Sequence, residues 1–137
     1  MKPGLHAGYS ITIETEVTPE MFAQFEGEVV HRTYSTVTMI YHLEWASRQI
    51  ILPFLEDDEE GMGVSVSAKH LAPAPQGSKL KIQAAFIEMK ENQIITDVFV
   101  FMGSKLIGKG EVIQVILPKS KIDRLLGRQE IMKEDLS

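Results

Sequence analysis

Hydrophobic and polar positions change period twice along the chain. In YSITIETEV, residues 9–17, apolar and polar residues alternate with β-branched side chains, which predicts a strand with one face toward water. Thr18-Pro19-Glu20 supplies a cap residue and a proline at a first helical position. A short helical or irregular stretch is therefore expected over MFAQFEG, 21–27. From about Ser35 to Leu55 the spacing becomes that of a helix. Val37, Ile40, Tyr41 and Glu44 share one of its faces, and Met39, Leu43 and Ala46 another. Two broad apolar faces predict a helix that is surrounded rather than laid on a surface. Ser35 or Thr36 can cap its start, and Pro53 ends or kinks its last turn.

The acidic run EDDEEG, 56–61, reads as a solvated loop leaving the helix. Alternation then returns in GVSVSAKHL (63–71), KLKIQAAFIEMK (79–90), NQIITDVFVFMG (92–103) and KLIGKGEVIQVIL (105–117). Asn92 and Gly103-Ser104 are turn signals, so these four strands should run as an antiparallel meander. Gly108 and Gly110 predict a bulge or bend in the last of them. Ile122, Leu125 and Leu126 stand at helical spacing and predict a short, partly frayed helix within 119–137. With no repeat and no Ser- or Gly-rich linker, 1–137 is expected to be a single domain. One strand, one long apolar helix and four strands predict an α+β fold. A curved antiparallel sheet wrapped around a central helix satisfies that order, which is the hot-dog architecture. A single protomer would leave a sheet edge and part of the helix bare, so a homodimer or higher homo-oligomer is expected.

Composition narrows the chemistry. The 137 residues include no cysteine, which excludes thiolate catalysis, disulfides and Cys-based zinc sites. A net charge of −5 without a dense Lys/Arg stripe argues against nucleic acid. The start, MKPGLHAGYS, has no apolar core of a signal peptide, and the longest apolar run, IILPFL at 50–55, is far too short for a membrane span. A cytoplasmic protein with no membrane partner is expected. His6, His31 and His42 stand at no metal-ligand spacing, so no metal is expected. GMG at 61–63 precedes no Gly-Lys-Ser/Thr helix, and no Gly-x-Ser-x-Gly elbow occurs.

Three polar residues could meet once the sheet wraps the helix. Thr36 lies at the helix start. Glu44 follows eight residues later, a little over two turns. His70 ends the first strand after the helix, just before the breaker APAPQG. Each has a plainer reading: Thr36 as a helix cap, Glu44 pointing into solvent, His70 as a structural residue.

Over about residues 5–117 the sequence resembles hot-dog thioesterases of the fluoroacetyl-CoA thioesterase-like group. The likeness rests on Thr36 followed by Met39, on LEWA (43–46), on Gly63 with alternation to His70, on A-P-x-P-x-G ending at Gly77, and on IGKG (107–110). The resemblance implies an acyl-CoA substrate hydrolysed without cofactor or metal at a Thr36–Glu44–His70 site. It also implies that the Gly63 backbone N–H binds the thioester carbonyl, with Glu44 attacking it or activating water, His70 orienting or protonating, and Thr36 directing Glu44. Where the group often has Thr-His-x-Arg, this chain has Glu111, Val112, Ile113 and Gln114. Phe22-Ala23-Gln24-Phe25 resembles the group's lid motif but lies further from Thr36, so core packing is expected of it and fluorinated specificity is not. Arg48, Lys69, Lys79 and Lys81 can meet CoA phosphates, or simply face solvent. Two other readings fit the same fold: a non-catalytic acyl- or CoA-binding module, and a hydratase or dehydratase acting on acyl thioesters.

Overall fold

Strand β1 (Ser10–Glu16) forms where the alternation predicts it, with every second residue turned toward the core. The structure, a computed structural model, describes the backbone of residues 1–135 and the side chains of residues 1–127. Pro19–Met21 makes one 3₁₀ turn, and Thr18 precedes it without a side-chain cap bond. The stretch after it is neither helical nor irregular. β2 (Phe22–Phe25) pairs with β3 (Glu28–Tyr34) as a separate two-stranded antiparallel sheet. The turn between them needs two left-handed residues, Glu26 (φ 52°) and Gly27 (φ 81°). Such a turn matches the twist of a hairpin, and a glutamate in the first position hides the signal from the sequence.

Helix α1 spans Thr36–Ile51. Pro53 sits in the 3₁₀ turn Leu52–Phe54 that ends it, because its ring cannot continue an α-helical ladder. The acidic run is only partly a loop. β4 (Glu59–His70) already begins inside it, since Glu59 accepts from the N-terminal ammonium at 3.0 Å and Glu60 from Arg48 at 2.9 Å. β5 (Lys79–Lys90), β6 (Gln93–Met102) and β7 (Lys105–Pro118) complete the antiparallel meander. Helix α2 (Lys119–Asp135) closes the chain and is longer than the short helix expected, while residues 136–137 of that prediction lie outside the described residues.

The main sheet has the order β1-β5-β6-β7-β4, and α1 lies across it. Met39, Leu43, Ala46 and Ile50 of α1 are fully buried against Leu80, Ile82, Ala84, Val98, Val100 and Val112. Burial of each large side chain contributes about 1.5–3 kcal/mol. Gly108 and Gly110 of β7 permit this approach. A Cβ on Gly108 would collide with the Met39 side chain, and one on Gly110 with the Ser67 carbonyl and Leu43.

One expectation fails in the single chain. The second apolar face of α1 is not surrounded: Val37 is 71% and Tyr41 64% exposed, and Ile40, Glu44 and Trp45 are exposed beside them. The sheet curves over only one side of the helix. Beside the bare face runs β4, at the sheet edge, with Met62 and Val64 also exposed.

Candidate active site

Ser35 decides the role of Thr36. The Ser35 hydroxyl accepts from the Thr38 backbone N–H at 3.0 Å and donates to Thr38 Oγ1 at 2.9 Å, so the cap of α1 is Ser35. Thr36 is thereby the first helical residue with its side chain free for other work. Its Oγ1 lies 2.9 Å from Nδ1 of His70. His70 is carried there by the end of β4, paired opposite Gly108. The chain beyond is held as well, since the backbone N–H groups of Leu71 and Ala72 both donate to the Ile107 carbonyl, at 2.8 and 3.3 Å. Nε2 of His70 is buried and makes no hydrogen bond. Burial lowers the pKa of this imidazole below its ordinary 6.5, and the Ala72 backbone offsets part of the shift. His70 is therefore neutral at neutral pH and suited to orienting a hydroxyl.

Glu44 and Gly63 form the second half. Gly63 pairs with Gln114, but the next pair is Ser65 with Ile113, so Val64 is an extra residue in β4. This bulge interrupts the ladder of an edge strand beside α1, the kind of place where backbone groups are re-aimed. The Glu44 carboxyl lies directly over it: a Cβ on Gly63 would stand 3.9 Å from Cδ, Oε1 and Oε2 alike. Two polar ties fix α1 at this level. Gln114 Nε2 donates to the Ser47 carbonyl at 3.0 Å, and Arg48 Nη1 donates to Glu60 Oε1 at 2.9 Å. Gln114, which replaces the arginine of the resembling group's motif, thus fastens helix to sheet.

The structure brings Thr36 to His70 and Glu44 to Gly63, and separates the two pairs by two helical turns, about 12 Å along α1. Among the described residues no hydrogen bond joins Glu44 to Thr36 or to His70. A cleft of about 340 Å³ lined by Thr33, Thr36, His70, Leu71, Ala72 and Pro73 opens at the first pair. A second of about 340 Å³ lies on the other side of Thr36, between the β2–β3 hairpin and the start of α1, and includes Phe22, Phe25 and Val37. Phe22 is a core residue, whereas Phe25 is 67% exposed on the hairpin. Both pairs border the bare apolar face of α1. Among the described residues no three His, Asp or Glu side chains converge as metal ligands, and no helix is long and apolar enough to cross a membrane.

Two residues beside this site carry no predicted catalytic or binding role. Tyr34 and His42 are both buried, and Tyr34 Oη lies 2.7 Å from His42 Nδ1. The signal was their eight-residue spacing, which puts a side chain at the helix entrance and one two turns inside α1 on neighbouring faces.

A helix lying on one antiparallel sheet, with a bulged edge strand beside it, is the hot-dog architecture. Residues 17–120 match the family of fluoroacetyl-CoA-specific thioesterases. The chain belongs to that family and is a thioester hydrolase. Among solved structures it is similar to a Thermus thermophilus hypothetical protein of the thioesterase superfamily. That pair shares 42% identity over 98% of this chain and 99% of the other, with a TM-score of 0.93. A mutant of the fluoroacetyl-CoA-specific thioesterase itself superposes with a TM-score of 0.84 at 21% identity, over 93% of this chain and 99% of the other. A hot-dog-like protein from Thermanaerovibrio acidaminovorans gives 0.84 at 13% identity, over 90% and 91%. At such identities these last two likenesses speak for the fold alone. No curated protein matches the chain by sequence.

Proposed function

We propose that the protein hydrolyses an acyl-CoA thioester to a carboxylic acid and free CoA, with Thr36, Glu44 and His70 as its catalytic residues and the Gly63 backbone as a carbonyl-binding group. The observation that carries this reading is the carboxyl of Glu44 standing over the Gly63 bulge, on the same helix that lays Thr36 against His70. A thioester carbonyl gains negative charge as it is attacked, and donors aimed at that oxygen lower the barrier. In this reading the Gly63 backbone at the bulge, beside Glu44, supplies such a donor. Glu44 either attacks the carbonyl carbon or takes a proton from an attacking water. In both routes the C–S bond breaks and the sulfur leaves with its electron pair. His70, kept neutral by burial, holds the Thr36 hydroxyl in direction.

The reading includes a second copy of the chain. The cleft at Thr36 and His70 does not include Glu44 or Gly63, and both half-sites border exposed apolar surface on α1 and the unpaired edge of β4. A copy seated there would close a substrate channel between them and would bury the bare helix face.

The test is free-thiol release from a panel of acyl-CoAs, with sizing by light scattering. Turnover should fall about 10²-fold or more in Glu44→Gln while the fold is kept, and the protein should elute at about 31 kDa, twice the 15.4 kDa chain. Binding without thiol release, or equal turnover in Glu44→Gln, would overturn the assignment, and a clean monomer with full activity would remove the second copy from it.

A further inference from the structure

Behind the Thr36–His70 pair stands a buried aromatic pair that the reaction as described does not use. Tyr34 is the last residue of β3, fixed by its backbone N–H donating to the Ala74 carbonyl at 2.9 Å. Its ring packs edge-on against the His70 imidazole, with centroids 5.9 Å apart and planes at 72°. On its other side the ring stacks on His42, at 5.6 Å and 19°, and its hydroxyl meets His42 Nδ1 at 2.7 Å. Only 1% of Tyr34 and 3% of His42 is exposed. Burial raises the Tyr34 pKa and lowers that of His42, so both are neutral and the phenol donates to the imidazole nitrogen. His42 is in turn wedged against Tyr41 at 5.7 Å and Trp45 at 6.0 Å on the same helix.

His70 has one well-formed side-chain hydrogen bond, to Thr36; the Ala72 backbone stands close enough to act on the imidazole, but the buried Nε2 makes no bond of good geometry. A ring with a single polar tether can rotate about its side-chain bonds and can exchange its proton between nitrogens. Which nitrogen carries the proton is ordinarily set by the bond at the other nitrogen, and here the Ala72 backbone offers only a poorly aligned one. What restrains the ring is the face it leans on. We propose that Tyr34 and His42 are positioning residues: the Tyr34 ring, pinned through its hydroxyl to His42, holds His70 in the one orientation and tautomer in which Nδ1 meets Thr36. The inference rests on the proposed thioesterase role of His70 for its kinetic consequence, but its geometric content stands apart from it.

The experiment uses the full chain and three variants: Tyr34→Phe, which keeps the ring and loses the pin; His42→Leu, which loses the acceptor; and the double variant, which leaves neither polar group stranded. Long-range ¹H–¹⁵N spectra read the tautomer of His70, and thiol release reads kcat and KM separately. The wild-type His70 should show a single tautomer, and all three variants a mixture. In them kcat should fall about tenfold or more, as misplacement of a reacting group does, with KM nearly unchanged. The double variant is expected to recover thermal stability toward wild type without recovering the tautomer or kcat, which a merely structural role would not do. His42→Gln, which keeps an acceptor for the phenol, should restore both in part. An unchanged His70 spectrum in Tyr34→Phe and the double variant overturns the proposal even if Glu44→Gln is inactive. A wild type that releases no thiol from any acyl-CoA removes the thioesterase reading, and the spectra still decide the positioning role.

Discussion

The neighbours Ser35 and Thr36 allow the structural and chemical readings of the helix start to be separated. Ser35→Ala removes the hydroxyl that accepts from the Thr38 N–H at 3.0 Å. Loss of such a cap costs about 1 kcal/mol, which for a chain of this length is a fall of about 3–4 °C in Tm. Thr36→Ala removes a different bond, the 2.9 Å contact with His70 on an open cleft. Water can replace the hydroxyl there, so the loss is about 0.5 kcal/mol or less. Alanine is also the better helix former by about that amount, and the two terms nearly cancel. Activity should order the variants the other way. Thr36→Ala removes the hydroxyl that meets His70 in the proposed site, so kcat should drop about 10²-fold. Ser35→Ala should keep most of its turnover, and Thr36→Ser should recover most of what Thr36→Ala loses. Calorimetry and thiol release on the same preparations give both quantities. If Thr36→Ala is the less stable variant and turns over normally, Thr36 belongs to the helix and not to the chemistry.

Stability should depend on pH through the buried histidines. Burial lowers the pKa of His42 and His70 below 6.5, so the unfolded chain binds more protons, and stability is full above about pH 6.5 and declines as pH falls toward the folded values. Melting curves between about pH 7.5 and 5, above the carboxylate range, should show this slope. His42→Leu should flatten it, and an unchanged slope would contradict the burial argument for His42. Gly110→Ala should destabilise by about 1–3 kcal/mol, because the new methyl meets the Ser67 carbonyl, which cannot move without parting β4 from β7. Gly108→Ala collides with the flexible end of Met39, the Lys69 carbonyl standing at ordinary contact distance, and should cost less in the same denaturation series; the reverse order would refute the packing account. At Gly63 a methyl has room 3.9 Å from the Glu44 carboxyl, so Gly63→Ala should fold normally. The branches of Gly63→Val would reach the carboxyl and should lower kcat/KM well below the alanine variant, and equal values would detach Gly63 from the site.

Much of the architecture was legible in periodicity. Alternation marked β1 and the four-strand meander, and the apolar repeat from about Ser35 to Leu55 marked α1, because burying one face of a strand or helix leaves a residue-by-residue imprint. The β2–β3 hairpin left none. Its strands are short, mostly exposed and joined through Glu26-Gly27, so neither burial nor a familiar turn pair announces it. The acidic run misled for a related reason: Glu59 and Glu60 look solvated by composition, yet they pair with the N-terminus and Arg48, groups distant along the chain.

Thr36, Glu44, Gly63 and His70 could be named from the chain as residues of suitable chemistry at family-like spacing. That Ser35 and not Thr36 caps the helix depended on which hydroxyl turns toward the Thr38 N–H, a choice made by the approach of the chain at Tyr34. That His70 meets Thr36 across 34 residues, and that Glu44 lies over a bulge, depended on how β4 pairs with β7 and on two glycines that let α1 settle onto the sheet. Local order along a chain is written by which side of each element is apolar, so it can be read from sequence. Contacts between elements depend on register and on the distance at which surfaces pack, and those are set only when the whole sheet closes on the helix.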